Sequence, residues 1–154
     1  MQSHSIDITD ISQLAQVAKQ LSHDSHGSLW IYLIGDLGAG KTTFSQLFIQ
    51  AKDYSGIVNS PTYAIMNEYD IDNNANNSNS TNIDKPVSII HCDLYRLGSP
   101  EELYEIGLID MVLEKQATCL VEWPEKGRGV LPRPDIQLHF QYTADGRRTL
   151  TITR

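Results

Sequence analysis

The run Gly35-Asp36-Leu37-Gly38-Ala39-Gly40-Lys41-Thr42 has the spacing of a phosphate-binding loop, G-x-x-x-x-G-K-[ST], at every fixed position. The chemistry this predicts is phosphate capture. Glycines let the backbone bend sharply and approach an anion. Loop N–H groups then form a nest around phosphate oxygens, and a following helix adds its favourable N-terminal dipole. On this reading Gly38, Ala39 and Gly40 supply the cradle, Lys41 reaches the β- and γ-phosphates, and the Thr42 hydroxyl ligates Mg²⁺. Hydrolysis at such a loop also needs an acid to orient Mg²⁺ or the attacking water. In α/β sheets that acid stands at the carboxyl end of a nearby strand. Two apolar runs end this way: Ile89-Ile90-His91-Cys92 leads into Asp93, and Cys119-Leu120-Val121 leads into Glu122. Either can be the Mg²⁺-linked acid. Trp123 follows Glu122 and can pack on a nucleotide or cover the site. Arg96, near Asp93, is a candidate internal stabiliser of phosphate charge.

These side chains need a frame. Leu29-Trp30-Ile31-Tyr32-Leu33-Ile34 predicts a buried strand before the loop, and residues 41–52 predict a helix after it. An earlier helix is expected from an N-cap at Thr9 or Asp10 to about Leu21, with Ile11, Leu14, Ala15, Val17, Ala18 and Leu21 on its apolar side. Ser60-Pro61-Thr62 marks a turn before a strand over 63–70. A strand over 86–93 follows, and the two read as a hairpin whose tip, residues 72–82, is an Asn/Ser-rich flexible segment. Ser99-Pro100-Glu101-Glu102 predicts a helix start with a capping-box pattern. That helix is expected to reach about Gln116, with a break at Gly107. Residues 118–123 predict a short apolar strand within a parallel sheet. Two alternating stretches, 135–143 and 149–154, flank an Asp145-Gly146 turn and predict a terminal hairpin. The expected fold is α/β: a phosphate-loop NTPase-like three-layer sandwich with a mixed central sheet, residues 1–154 forming one domain.

Composition narrows the function. The 154 residues carry a formal net charge of −7, which disfavours direct grip on nucleic acid. Any link to RNA is therefore expected to run through a partner. No apolar run is long enough to span a membrane. Met1-Gln2-Ser3-His4-Ser5 carries neither a basic nor an apolar leader pattern, so no secretory signal is expected there. Cys92 and Cys119 sit in apolar runs and are expected as buried free thiols. The five histidines show no metal-ligand spacing. No [NT]-K-x-D guanine-reading motif occurs, which favours adenine. Arginines outside the motif strands are few, unlike the Arg-rich lid of a small-molecule kinase. A nucleotide-gated adaptor without catalysis is the other alternative to an ATPase.

Four motifs in order resemble the bacterial TsaE family. They are the phosphate loop continuing into Thr43-Phe44, then Ser60-Pro61-Thr62-Tyr63, then His91-Cys92-Asp93-Leu94-Tyr95-Arg96-Leu97, then Val121-Glu122-Trp123-Pro124. The stretch Pro100-Glu101-Glu102-Leu103 with Gly107 is similar too, and the resemblance extends from about Ile8 to the terminal hairpin. It implies a small cytoplasmic ATPase, with ATP and Mg²⁺ as cofactors. Such a protein is required with TsaB, TsaC and TsaD for threonylcarbamoyladenosine, the modified adenosine beside the anticodon. The resemblance implies docking on a TsaB–TsaD complex, with tRNA reached only through those partners. It makes Lys41 the phosphate lysine, with Thr43 and Trp123 also at the nucleotide. Thr42 and Glu122 become Mg²⁺ ligands. Asp93 becomes a second essential acid, for water activation or outer-sphere metal binding, and Thr62 a sensor of the γ-phosphate.

Overall fold

The structure is a computed structural model and describes residues 2–72 and 87–154. Its elements are β1 (Ser3–Asp7), α1 (Ile11–Asp24), β2 (Leu29–Ile34), α2 (Lys41–Gln50), β3 (Met66–Ile71), β4 (Val87–Asp93), α3 (Glu102–Glu105), α4 (Leu108–Lys115), β5 (Thr118–Glu122), β6 (Ile136–Tyr142) and β7 (Arg148–Thr153). A 3₁₀ turn covers Pro124–Gly127. Most of the expected 72–82 tip lies outside the described residues.

The described strands form one mixed sheet in the order β1-β7-β6-β2-β5-β4-β3. Its centre, β6-β2-β5-β4, is parallel. The β3–β4, β6–β7 and β1–β7 pairs are antiparallel. All of β5 is buried, as its unbroken apolar run predicts for a strand with parallel neighbours on both sides.

Side chains alternate across the sheet and build two cores. Ile31, Leu33, Leu120 and Leu138 meet Leu14, Ala18, Phe44 and Phe48 of α1 and α2 on one face. Tyr32, Ile90, Cys92, Cys119 and Val121 meet Leu103, Leu108 and Val112 of α3 and α4 on the other. This is the expected three-layer sandwich. A fully buried Leu, Ile or Phe contributes about 1.5–3 kcal/mol. A one-residue slip of β2 or β5 would move each of these side chains to the wrong face, so the register is strongly set. That register brings Glu122 opposite Leu33 on one side and Asp93 on the other.

Some local features follow the sequence expectation and others depart from it. β1 was not anticipated: its residues are polar and mostly exposed, and pairing with β7 makes the strand. Asp10 caps α1 by accepting from Ser12 N at 2.9 Å. Ile11, expected on the apolar side, is 63% exposed because it stands in the first turn, ahead of the packed stripe. The helix expected from Ser99 divides into α3 and α4 at Gly107, whose φ of +70° ends the first piece. Glu102 Oε1 accepts from Gly98 N and Ser99 N, both at 3.1 Å, so the carboxylate half of the capping box is present. Trp123 falls outside β5, with its backbone in the left-handed region.

Candidate nucleotide site

The phosphate loop spans the gap between β2 and α2, and its conformation depends on glycine. Gly38 and Gly40 have φ of +76° and +114°. Gly35, at φ +155°, lies against β6: a Cβ there would come within 2.6 Å of the Phe140 carbonyl oxygen. Gly35→Ala is therefore expected to destabilise the fold by about 3 kcal/mol, read by denaturant unfolding, because backbone must move to admit one methyl. Gly40 is the N-cap of α2, and among the described residues no side chain caps that helix. Its first-turn amides thus lack intrahelical acceptors and remain available to an anion.

The loop opens on a cleft of about 270 Å³ lined by Lys41, Thr42, Thr62, Asp93, Glu122 and Trp123 among others. Thus six of the residues singled out by sequence converge from four separate segments. Gly38, Gly40 and Thr43 line it as well. Ala39 does not: its side chain is buried, its N–H donates to Asp36 O at 3.1 Å, and it borders a smaller adjoining cavity of about 80 Å³. That cavity also touches Thr9, Ile11 and Arg148, and it shares Gly40, Thr43 and Arg148 with the cleft.

Two carboxylates anchor the cleft floor. The Thr42 hydroxyl reaches Glu122 Oε1 and Oε2 at 3.0 and 3.1 Å. His91 Nε2 lies 2.8 Å from Glu122 Oε1, with the imidazole wholly buried. Asp93 Oδ2 accepts from the Thr62 hydroxyl at 3.1 Å, and its Oδ1 accepts from Tyr95 N at 3.1 Å. Thr62 in turn contacts the Ser60 hydroxyl at 2.6 Å. The Ser60–Thr62 turn is thereby tied to the end of β4. The chain re-enters β3 through Ile65, a β-branched residue at φ +65°, whose carbonyl accepts from Asp93 N at 2.9 Å.

Lys41 is folded back on its own loop. Its Nζ donates to Gly35 O at 2.5 Å and Asp36 O at 2.8 Å, and it sits 4.2 Å from the Trp123 ring centroid. Burial pushes its pKa below the ordinary lysine value, against the opposing pull of the Glu122, Asp93, Glu125 and Asp36 carboxylates. The Trp123 ring also packs 5.1 Å from that of Tyr95. Arg96 lines the cleft and lies over the Tyr63 ring at 4.4 Å.

Sequence reasoning did not select Leu37, Tyr95, Arg148 or His91. Arg148 enters because the terminal hairpin folds over the loop, where the Tyr142 hydroxyl donates to Gly38 O. His91 had a usable signal: it lies two residues before Asp93 on one strand, so both face the same side.

An oxygen donor set of one hydroxyl and one carboxylate suits Mg²⁺, which takes few protein ligands and completes its shell with phosphate and water. Among the described residues no group of three or more His, Cys, Asp or Glu is gathered as in an all-protein metal cage. Cys92 and Cys119 are buried free thiols, as expected. Among the described residues no helix is long and apolar enough to cross a membrane.

Comparison with known proteins agrees with this frame. Residues 8–150 match the family model described as Threonylcarbamoyl adenosine biosynthesis protein TsaE. The tRNA threonylcarbamoyladenosine biosynthesis protein TsaE of Haemophilus influenzae is 41% identical over 127 residues, 82% of this chain and 72% of that protein. The protein of the same name from Bacillus subtilis is 36% identical over 121 residues, 79% of this chain and 66% of that one. The crystal structure of Bacillus subtilis YdiB superposes with a TM-score of 0.73 at 25% identity, covering 98% of this chain and 84% of that one. With the family model spanning nearly the whole sequence and the four motifs gathered around one cleft, the chain belongs to the TsaE family of threonylcarbamoyl adenosine biosynthesis proteins.

Proposed function

We propose that this chain is a Mg²⁺-dependent ATPase that acts with a TsaB–TsaD complex in threonylcarbamoyladenosine modification of the tRNA adenosine beside the anticodon. The observation that carries the reading is the meeting of Thr42 and Glu122, 80 positions apart, beside Lys41 in one cleft. Loop amides and Lys41 would hold the phosphates, Lys41 exchanging its two loop carbonyls for phosphate oxygens. Thr42 and Glu122 would hold Mg²⁺. When bound, Mg²⁺ would supply charge neutralisation at the phosphates. Asp93 would orient the water, with Thr62 beside it to sense the γ-phosphate. Trp123 would cover the phosphates. The nucleoside would lie toward the adjoining cavity bounded by Thr9, Ile11 and Arg148. The acidic net charge of −7 supports contact with tRNA through partners, in the cytoplasm where that RNA is modified.

The test is ATP hydrolysis by the purified chain, alone and with TsaB–TsaD. Stimulation by the partners supports the reading. ATP binding without hydrolysis in either condition would replace it by a nucleotide-gated adaptor. A second expectation concerns the metal. Glu122→Ala should raise the Mg²⁺ concentration needed for tight nucleotide binding about a hundredfold, with Mg²⁺-free affinity little changed. Unaltered Mg²⁺ dependence would move the ligand role to Asp93.

A further inference from the structure

His91 is a polar residue where an apolar one would pack. It lies in the middle of β4, wholly buried, opposite Leu120 of β5 and Asn67 of β3. Its face of the sheet carries the apolar core formed by Ile89, Leu120, Phe44 and their neighbours. Among the described residues only one of its ring nitrogens is engaged: Nε2 meets Glu122 Oε1 at 2.8 Å, while Nδ1 has no partner there. A carboxylate accepts, so Nε2 carries the hydrogen. The unpaired Nδ1 then costs least as a bare acceptor, which selects one tautomer. A core imidazole retained for packing alone would be expected to satisfy both nitrogens or to be replaced by a hydrocarbon. Here its single polar contact is the carboxylate at the cleft floor.

That contact matters because the other one involves a hydroxyl that the proposed function assigns to the cation. In this structure Glu122 is also held by the Thr42 hydroxyl, which contacts both of its oxygens. Ligation of a cation by Thr42 would draw that hydroxyl away. His91 then remains as the side chain fixing the carboxylate, occupying Oε1 and leaving Oε2 directed to the cleft. We propose that His91 is the positioning residue for Glu122, holding its carboxylate in the orientation that receives the divalent cation of a Mg²⁺–nucleotide. This inference rests on the ATPase reading above.

The test compares His91→Gln and His91→Met, side chains of similar length of which only the first can donate. The readout is the affinity for ADP and for a non-hydrolysable ATP analogue as Mg²⁺ is titrated, with Mg²⁺-free affinity as reference. H91M is expected to raise the half-saturating Mg²⁺ concentration about tenfold while Mg²⁺-free affinity holds, and H91Q to recover most of that loss. Equal Mg²⁺ half-saturation in wild type and H91M overturns the proposal and leaves the ATPase reading standing. Equal loss in H91M and H91Q also overturns it, by reducing His91 to packing. A wild-type protein whose nucleotide affinity ignores Mg²⁺ removes the underlying reading and this inference together. A second measurement needs no variant. In the nucleotide-free ¹⁵N-labelled protein, His91 should show a protected ring N–H on Nε2; the hydrogen on Nδ1 instead would overturn the assignment.

Discussion

Replacing Lys41 by Ala is expected to lower partner-stimulated ATP hydrolysis at least about a hundredfold, the scale of losing one preorganised group at a developing charge. Phosphoryl transfer leaves little covalent work for the protein, so a cation placed at the β/γ junction carries much of the barrier reduction. Lys41 is already inside the cleft, held by Gly35 O, Asp36 O and the Trp123 ring. Its ammonium is therefore partly desolvated before any phosphate arrives, and an incoming anion meets a charge that water screens less than at the open surface. The same burial has a cost in the nucleotide-free fold. Burial lowers the folded-state pKa of Lys41 below its unfolded value. Between those two values the unfolded chain binds more protons, so this group makes stability rise with pH across that alkaline window. Lys52 is lowered by burial as well and adds slope in the same direction. Comparison with Lys41→Met isolates the site lysine. The unfolding free energy of wild type should gain on that of the variant as pH rises from neutrality to about 10.4, the unperturbed lysine value. Undiminished ATPase activity in Lys41→Ala would show that the loop is not the nucleotide site.

The parts of this site legible in sequence are those set by short-range geometry. The loop between β2 and α2 is written as glycines at fixed offsets, and the acids stand at the ends of apolar runs, where a parallel strand must terminate. Asp93 and Glu122 could thus be paired before their register was known, and β4 and β5 place them directly opposite each other. What was hidden depends on contacts distant in sequence. β1 is a polar segment that becomes a strand because β7 offers an edge, and its own residues carry little strand signal. Arg148 reaches the cleft through a hairpin more than 100 residues from the loop it borders. Trp123 reads as the end of an apolar strand, yet its φ of +56° turns the chain out of the sheet and sets the indole over Lys41. An aromatic residue in that backbone region is held by its surroundings, and such strain gathers at sites where a side chain must be aimed.

Asp93→Asn should separate hydrolysis from binding. Hydrolysis is expected to fall about 10²- to 10³-fold, the range for losing a positioned general base, with nucleotide and Mg²⁺ affinities changed by no more than about threefold. The split follows from which segments each acid ties together. Glu122 bonds to Thr42, in the first turn of α2, so under the proposed function its loss would act on the cation and the bound nucleotide. Asp93 has no such bond to the loop. It accepts from Thr62 on one oxygen and Tyr95 N on the other, and its own N–H holds Ile65. It therefore joins the Ser60–Thr62 turn to the sheet on the side of the cleft away from the phosphate loop. Asn keeps one carbonyl oxygen for Tyr95 N, so the turn beyond β4 can persist. What it loses is the negative oxygen that faces Thr62. Single-turnover hydrolysis, measured beside Mg²⁺-dependent binding, distinguishes the two acids. A large loss of Mg²⁺ dependence in Asp93→Asn would make Asp93 the metal ligand. A loss of hydrolysis alone assigns it to the water, with the Thr62 contact explaining how the turn could couple the γ-phosphate to that step.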